Sequence, residues 1–170
     1  MSEREHIIVL EGPAHTHELG EALATLLAPG DLVLLRGDLG VGKTTLTRAI
    51  ARGLGITETV TSPTFSLSQR YYGVITLIHV DAYRLNGADD EELGLLIGDA
   101  DEAITVIEWP DQLAVSFPRA RLRIELRHHG QDHRLVALMA DDESTSQRIA
   151  ALLADLGAGH VHPESERRDR

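Results

Sequence analysis

The chain has 170 residues, no cysteine and one tryptophan, with 27 Asp plus Glu against 16 Lys plus Arg, a formal charge of −11 at pH 7. That length suits one domain around a single core, and the lack of cysteine excludes disulfide and thiolate chemistry and fits a reducing compartment. The acidic balance excludes sequence-independent binding to DNA or RNA by this chain alone, because such binding neutralises phosphates with basic side chains. With no run of about 18 apolar residues and no charged-then-apolar leader, a soluble, cytoplasmic protein with no membrane contact is expected.

Taken in order, residues 5–10 read as a strand that breaks at Gly12-Pro13. Thr16 has the character of an N-cap for a helix whose apolar face is Leu19, Ala22, Leu23 and Leu26, closed by Pro29-Gly30. Residues 31–36 form a short apolar run, the pattern of a buried strand. It leads into Gly37-Asp38-Leu39-Gly40-Val41-Gly42-Lys43-Thr44, a Gly, four residues, then Gly-Lys-Thr. Small residues let successive backbone N–H groups turn inward as a nest for phosphate oxygens, and the helix that follows points its positive end at them. Lys43 is placed to reach the β- and γ-phosphates, and the Thr44 hydroxyl to ligate Mg²⁺. A helix over 44–54, with Leu46, Ala49 and Ile50 at helical spacing, completes the strand–loop–helix context that the motif requires. Lys43 is also the only lysine, every other member of the 16 Lys plus Arg being arginine. The Gly-x-Gly-x-x-Gly order of dinucleotide sites is not met by Gly37, Gly40 and Gly42. The opening is thus β-α-β-α, as in a layered α/β domain.

After Gly55, residues 61–65 (Thr-Ser-Pro-Thr-Phe) are expected to be extended or looped. The hydroxyls there suit either a loop that senses the γ-phosphate and Mg²⁺ or a turn bonding its own backbone. Residues 74–80 read as a strand ending at Asp81, and 103–107 as another ending at Glu108, before Trp109-Pro110. Ligands in open α/β sheets gather at the carboxyl ends of strands, where one acid can hold Mg²⁺ and another orient water; each acid alone also suits a turn or cap. Asp89 to Glu92 opens a short helical segment to Leu96, its acids forming a solvated cap. Trp109 suits stacking on a nucleotide or partner, or packing at the rim of the core, and Arg84 a phosphate contact or an ion pair.

Residues 121–127 alternate strictly, and across the Gly130-Gln131 turn residues 133–139 read as the hairpin partner, adding an antiparallel part to the sheet. Ser144 and Gln147 have capping-box spacing for an amphipathic helix carrying Ile149, Leu152, Leu153 and Leu156, ending at Gly157. The nine histidines, with no cysteine beside them, do not form a zinc pattern. The expected organisation is a P-loop ATPase domain over 1–140, a helix over 141–158 packed on it and a disordered polar tail over 159–170. The fold class is α/β, a P-loop NTPase-like mixed sheet flanked by helices with a C-terminal antiparallel hairpin. Guanine-specific P-loop switches read their base with a lysine-containing motif, and no lysine lies downstream of Lys43, so ATP is the expected nucleotide.

Four blocks in order, residues 37–45, 62–65, 79–85 and 106–110, resemble the TsaE (YjeE) family, over about residues 6–140. The resemblance implies a small ATPase required for threonylcarbamoyladenosine modification of tRNA. It implies that ATP binding and hydrolysis reset a TsaB–TsaD assembly, and that tRNA is met only through that assembly. It also implies phosphate binding by Leu39, Gly40, Val41, Gly42, Lys43, Thr44 and Thr45, with Mg²⁺ at Thr44 and Glu108, and Lys43, Asp81 and Glu108 as the catalytic set. Thr64 would be a switch-like hydroxyl, Trp109 a residue of the nucleotide or partner face, and Pro13 and Gly130 positions near the adenine. Ala82 stands where the family usually has a larger apolar residue. Two other readings of the residues remain: a P-loop kinase for a small acceptor, and a nucleotide-gated binding module without useful turnover. The kinase would want an arginine-rich lid, whereas Arg119, Arg121, Arg123 and Arg127 alternate along a strand.

Overall fold

The computed structural model describes residues 5–63 and 65–156. Thr64, Gly157 and the tail lie outside the described residues. The elements run β1 (Glu5–Leu10), α1 (Pro13–Ala24), β2 (Leu32–Arg36), α2 (Lys43–Gly53), β3 (Ser68–Tyr71), β4 (Thr76–Asp81), α3 (Asp90–Ile97), β5 (Ala103–Glu108), β6 (Leu122–His128), β7 (Arg134–Ala140) and α4 (Glu143–Asp155), with three short 3₁₀ turns between them.

The strands make one seven-stranded sheet in the order β1-β7-β6-β2-β5-β4-β3. Its centre, β6-β2-β5-β4, is parallel, and both edges are antiparallel, β1 and β7 on one side and β3 on the other. The alternation read in β6 and β7 forms the expected hairpin: Leu122, Ile124 and Leu126 are buried, as are Val136 and Leu138 opposite them. The sheet is therefore mixed α/β with an antiparallel C-terminal hairpin.

Because side chains alternate along strands, the sheet buries two cores. On one face Val33, Leu35, Leu77, Ile104 and Val106 pack with Leu19 and Leu23 of α1, Leu46 and Ile50 of α2, and Ile149 and Leu153 of α4. On the other, Leu34, Ile78, Val80 and Ile107 meet Leu93 of α3 and the loop carrying Leu113 and Ala120. α1 and α2 lie so close that a Cβ on Gly20 would sit 2.3 Å from the Ala49 Cβ.

Several boundaries differ from the sequence reading. Thr16 does not cap α1: the helix starts at Pro13 with Gly12 at the cap, and the Thr16 N–H already donates to Gly12 O at 3.3 Å. Proline at the first helical position is pre-set for a helix and has no N–H to leave unpaired, so the start moves one turn upstream. α1 also ends at Ala24, well before Pro29. Ser144 is not the cap of α4; Asp142 is, accepting from the Thr145 N–H at 2.8 Å. β3, Ser-Gln-Arg-Tyr, has no apolar alternation to mark it, as an edge strand half open to solvent need not. The Asp89 cap is as read, a reciprocal capping box with Glu92.

Candidate nucleotide site

Three strands of the parallel centre deliver the site. β2 runs straight into the glycine-rich loop over 37–42, and β4 and β5 end side by side with Asp81 opposite Glu108 in register. The loop needs its glycines for two reasons. Gly40 and Gly42 hold φ of 75° and 116°, a left-handed conformation that a Cβ would strain. Gly37 is pressed on β6, where a Cβ would meet Leu126 O at 2.4 Å.

Lys43 opens α2, and its Nζ donates to Gly37 O at 2.7 Å and Asp38 O at 2.8 Å, folding the side chain back across the loop. The ammonium also lies 4.0 Å from the Trp109 ring centroid, a cation–π contact. Burial pushes the Lys43 pKa below its ordinary value, against the pull of the Glu108, Asp81 and Asp38 charges.

The Thr44 hydroxyl donates to Glu108 Oε1 at 3.0 Å. The same oxygen is 2.8 Å from His79 Nε2, and both Glu108 and His79 are buried. Asp81 is held differently: Ser62 Oγ donates to its Oδ2 at 3.0 Å and the Tyr83 N–H to its Oδ1 at 3.1 Å. Trp109 has φ 59° and ψ 46°, a left-handed conformation that costs a bulky residue of the order of 1–3 kcal/mol. It is held there by its N–H on Leu35 O at 3.1 Å and by Tyr83, whose ring centroid is 5.0 Å from the indole. Arg84 does not reach this group in the structure; its guanidinium lies 5.8 Å from the Phe65 ring centroid.

These residues enclose a cleft of about 290 Å³ lined by Leu39, Gly40, Gly42, Lys43, Thr44, Thr45, Ser62, Asp81, Glu108 and Trp109. Most of the residues singled out from sequence thus converge. Val41 contributes only backbone, since its side chain is buried in the core, and Pro13 and Gly130 are exposed positions outside the lining. Thr64 lies outside the described residues. His79 and Arg134 were not singled out. Arg134 Nε donates to Val41 O at 2.8 Å, tying the loop to β7. Since a trans peptide points its C=O and N–H to opposite sides, this bond aims the Gly42 N–H the other way. His79 was legible in principle, being two residues before Asp81 and so on the same strand face. Arg134 gives no such signal.

A family model described as "Threonylcarbamoyl adenosine biosynthesis protein TsaE" matches residues 10–136. The chain belongs to the TsaE family. A Bacillus subtilis TsaE, a tRNA threonylcarbamoyladenosine biosynthesis protein, is 38% identical over 129 residues, 75% of this chain and 81% of that one. The Streptomyces coelicolor TsaE is 46% identical over 114 residues, 64% of this chain and 76% of its own. In structure, the chain is similar to Bacillus subtilis YdiB, with a TM-score of 0.73 at 30% identity, covering 92% of this chain and 99% of that one. TsaE membership places the chain in threonylcarbamoyladenosine biosynthesis of tRNA, and the residues lining the cleft lie inside the matched span. Among the described residues no helix is long and apolar enough to cross a membrane.

Proposed function

We propose that the chain binds ATP with Mg²⁺ in the P-loop cleft and hydrolyses it weakly, driving a cycle on a TsaB–TsaD-like assembly that modifies tRNA. The observation that carries this reading is the convergence of the Lys43 ammonium, the Thr44 hydroxyl and two strand-end carboxylates on one glycine-lined cleft. The donor set fits the ligands. A nest of backbone N–H groups with one lysine suits polyphosphate. Mg²⁺ keeps several waters and takes one or two protein oxygens beside phosphate, so Thr44 with one carboxylate suffices. Consistently, no group of three or more His, Asp or Glu residues arranged for a metal exists among the described residues.

Thr44 and Glu108 would hold Mg²⁺, which would supply positive charge to offset that of the phosphate oxygens. Lys43 would exchange its two carbonyl bonds for phosphate oxygens, a stronger charge-assisted pairing. Asp81, fixed by Ser62 and the Tyr83 N–H, would orient the attacking water. Against a small-molecule kinase, three of the four downstream arginines are committed elsewhere: Arg121 to Asp31, Asp141 and Asp142, Arg127 to Glu125, and Arg123 to Phe117 O and Pro118 O.

The test is Mg²⁺-dependent ATP hydrolysis by the chain alone and with an added TsaB–TsaD pair. Strong stimulation is expected. No stimulation with ATP bound normally would replace this reading by a gated binding module or a kinase. In the same assay Glu108→Ala is expected to depress hydrolysis at least tenfold while weakening ADP binding far less, and equal losses would move Glu108 from the metal to the scaffold.

A further inference from the structure

The function above uses Glu108 but not the residue beneath it. His79 is fully buried on β4 and reaches across to Glu108 of β5, its diagonal neighbour on the same sheet face. Its Nε2 is 2.8 Å from Glu108 Oε1, and its Nδ1 is a buried nitrogen with no hydrogen-bond partner among the described residues. A carboxylate only accepts, so Nε2 must carry the proton. The geometry therefore places a proton on Nε2, directed at Glu108 Oε1.

We propose that His79 is a positioning residue for the Glu108 carboxylate, holding Oε1 through its Nε2–H so that Oε2 is the oxygen left for a metal ion or its water. Oε1 takes two donors, Thr44 Oγ1 at 3.0 Å and His79 Nε2, whereas Oε2 has no hydrogen-bond partner among the described residues. The carboxylate therefore cannot rotate without breaking a bond to His79, which is fully buried and has no water to replace it. When Thr44 turns its hydroxyl toward a metal ion, His79 alone keeps Oε1 in place. Histidine suits this role because its rigid ring spans the gap between strands and offers one directed donor.

The inference rests on Glu108 acting at the metal, and its test separates the two. In the metal-free, nucleotide-free protein, ¹⁵N-histidine NMR at neutral pH, with the resonance assigned by its loss in His79→Gln, is expected to show a proton on His79 Nε2. A ring protonated on Nδ1 alone overturns the inference whatever the activity, because Nε2 would then be unable to donate. In turnover with the partner pair, His79→Leu is expected to lower Mg²⁺-dependent kcat about 10–100-fold, the usual loss when an outer partner of a metal ligand is removed. Its Mg²⁺-free ADP affinity is expected to stay within about twofold, since such a partner acts through the metal and not on the phosphate nest. His79→Gln, which keeps an N–H donor, is expected to recover most of the rate. Equal loss in the Gln and Leu variants, or a parallel loss of ADP affinity, assigns His79 to packing. If His79→Leu does not fold, the tautomer and the glutamine variant still decide. If Glu108→Ala leaves hydrolysis intact, it is the metal reading that fails, and the tautomer alone judges the hydrogen bond.

Discussion

Lys43 shows how much of the site one residue organises. Its ammonium is buried, bonded to two loop carbonyls and covered by Trp109, so the loop holds its charge where a polyphosphate would arrive. Lys43→Ala removes a charge-assisted bond worth about 1.5–3 kcal/mol, or roughly 10–150-fold in affinity. Calorimetry with ADP is the check, and wild-type affinity in that variant would contradict the assignment. The lysine was legible from the motif alone, because its chemistry is local. So were Asp81 and Glu108, each the last residue of an apolar run. Their pairing in register was not, and neither were the His79 bond to Glu108 and the Arg134 bond to Val41, because these depend on which strands lie side by side. Sequence periodicity says which face a residue takes, not which neighbour it meets there.

At the scale of elements, the same substitution is expected to have opposite effects in two helices. Gly20 on α1 is buried against α2, and a Cβ would meet Ala49 Cβ at 2.3 Å and Ile50 N at 3.0 Å, neither the tip of a flexible chain. Gly20→Ala is expected to destabilise by about 1–3 kcal/mol, the cost of overpacking. Gly94 lies mid-helix in α3, exposed and with nothing within 4 Å of its Cβ position, so Gly94→Ala is expected to stabilise by about 0.5–1 kcal/mol through the lost entropy of glycine. Urea unfolding of both variants is the check, and like signs would refute the packing argument. The α4 cap adds a pH-dependent case. The N–H and hydroxyl of Thr145 hold the Asp142 carboxyl well below the usual carboxylate range. Asp141 beside it is pushed up, first by burial and next by its hydrogen bond to Asp142, so removing Asp142 relieves part of that shift and offsets part of the loss. A depressed pKa stabilises above the unfolded value of about 3.9 and loses that contribution as pH falls. Asp142→Ala is expected to cost about 1 kcal/mol at neutral pH, a typical cap loss, with the gap from wild type narrowing as pH drops below about 4. A gap that stays constant into acid would assign the effect to something other than the carboxylate. Helix existence was legible in all these cases, whereas the caps of α1 and α4 were not, since Gly12-Pro13 and Asp142 competed with Thr16 and Ser144 over a single turn.

For the whole molecule, charge decides how a protein of tRNA modification meets tRNA. The formal charge is −11, and many of the arginines that might form a basic surface are already paired. Arg121 sits among Asp31, Asp141 and Asp142, Arg36 on Asp111, Arg127 on Glu125 and Arg52 near Glu21. Each such pair presents RNA with a neutral or acidic patch, and RNA binding without base contacts scales with the phosphates a protein can neutralise. The chain alone is therefore expected to bind tRNA no tighter than the weakest non-specific range, with a Kd of about 10⁻⁴ M or above at physiological salt. Fluorescence anisotropy with labelled tRNA across a salt series is the measurement. A submicromolar Kd with a steep salt slope would mean that arginines now paired are released to phosphate and that the chain touches tRNA itself. A flat, weak response leaves the contact with tRNA to a partner, as the proposed function requires.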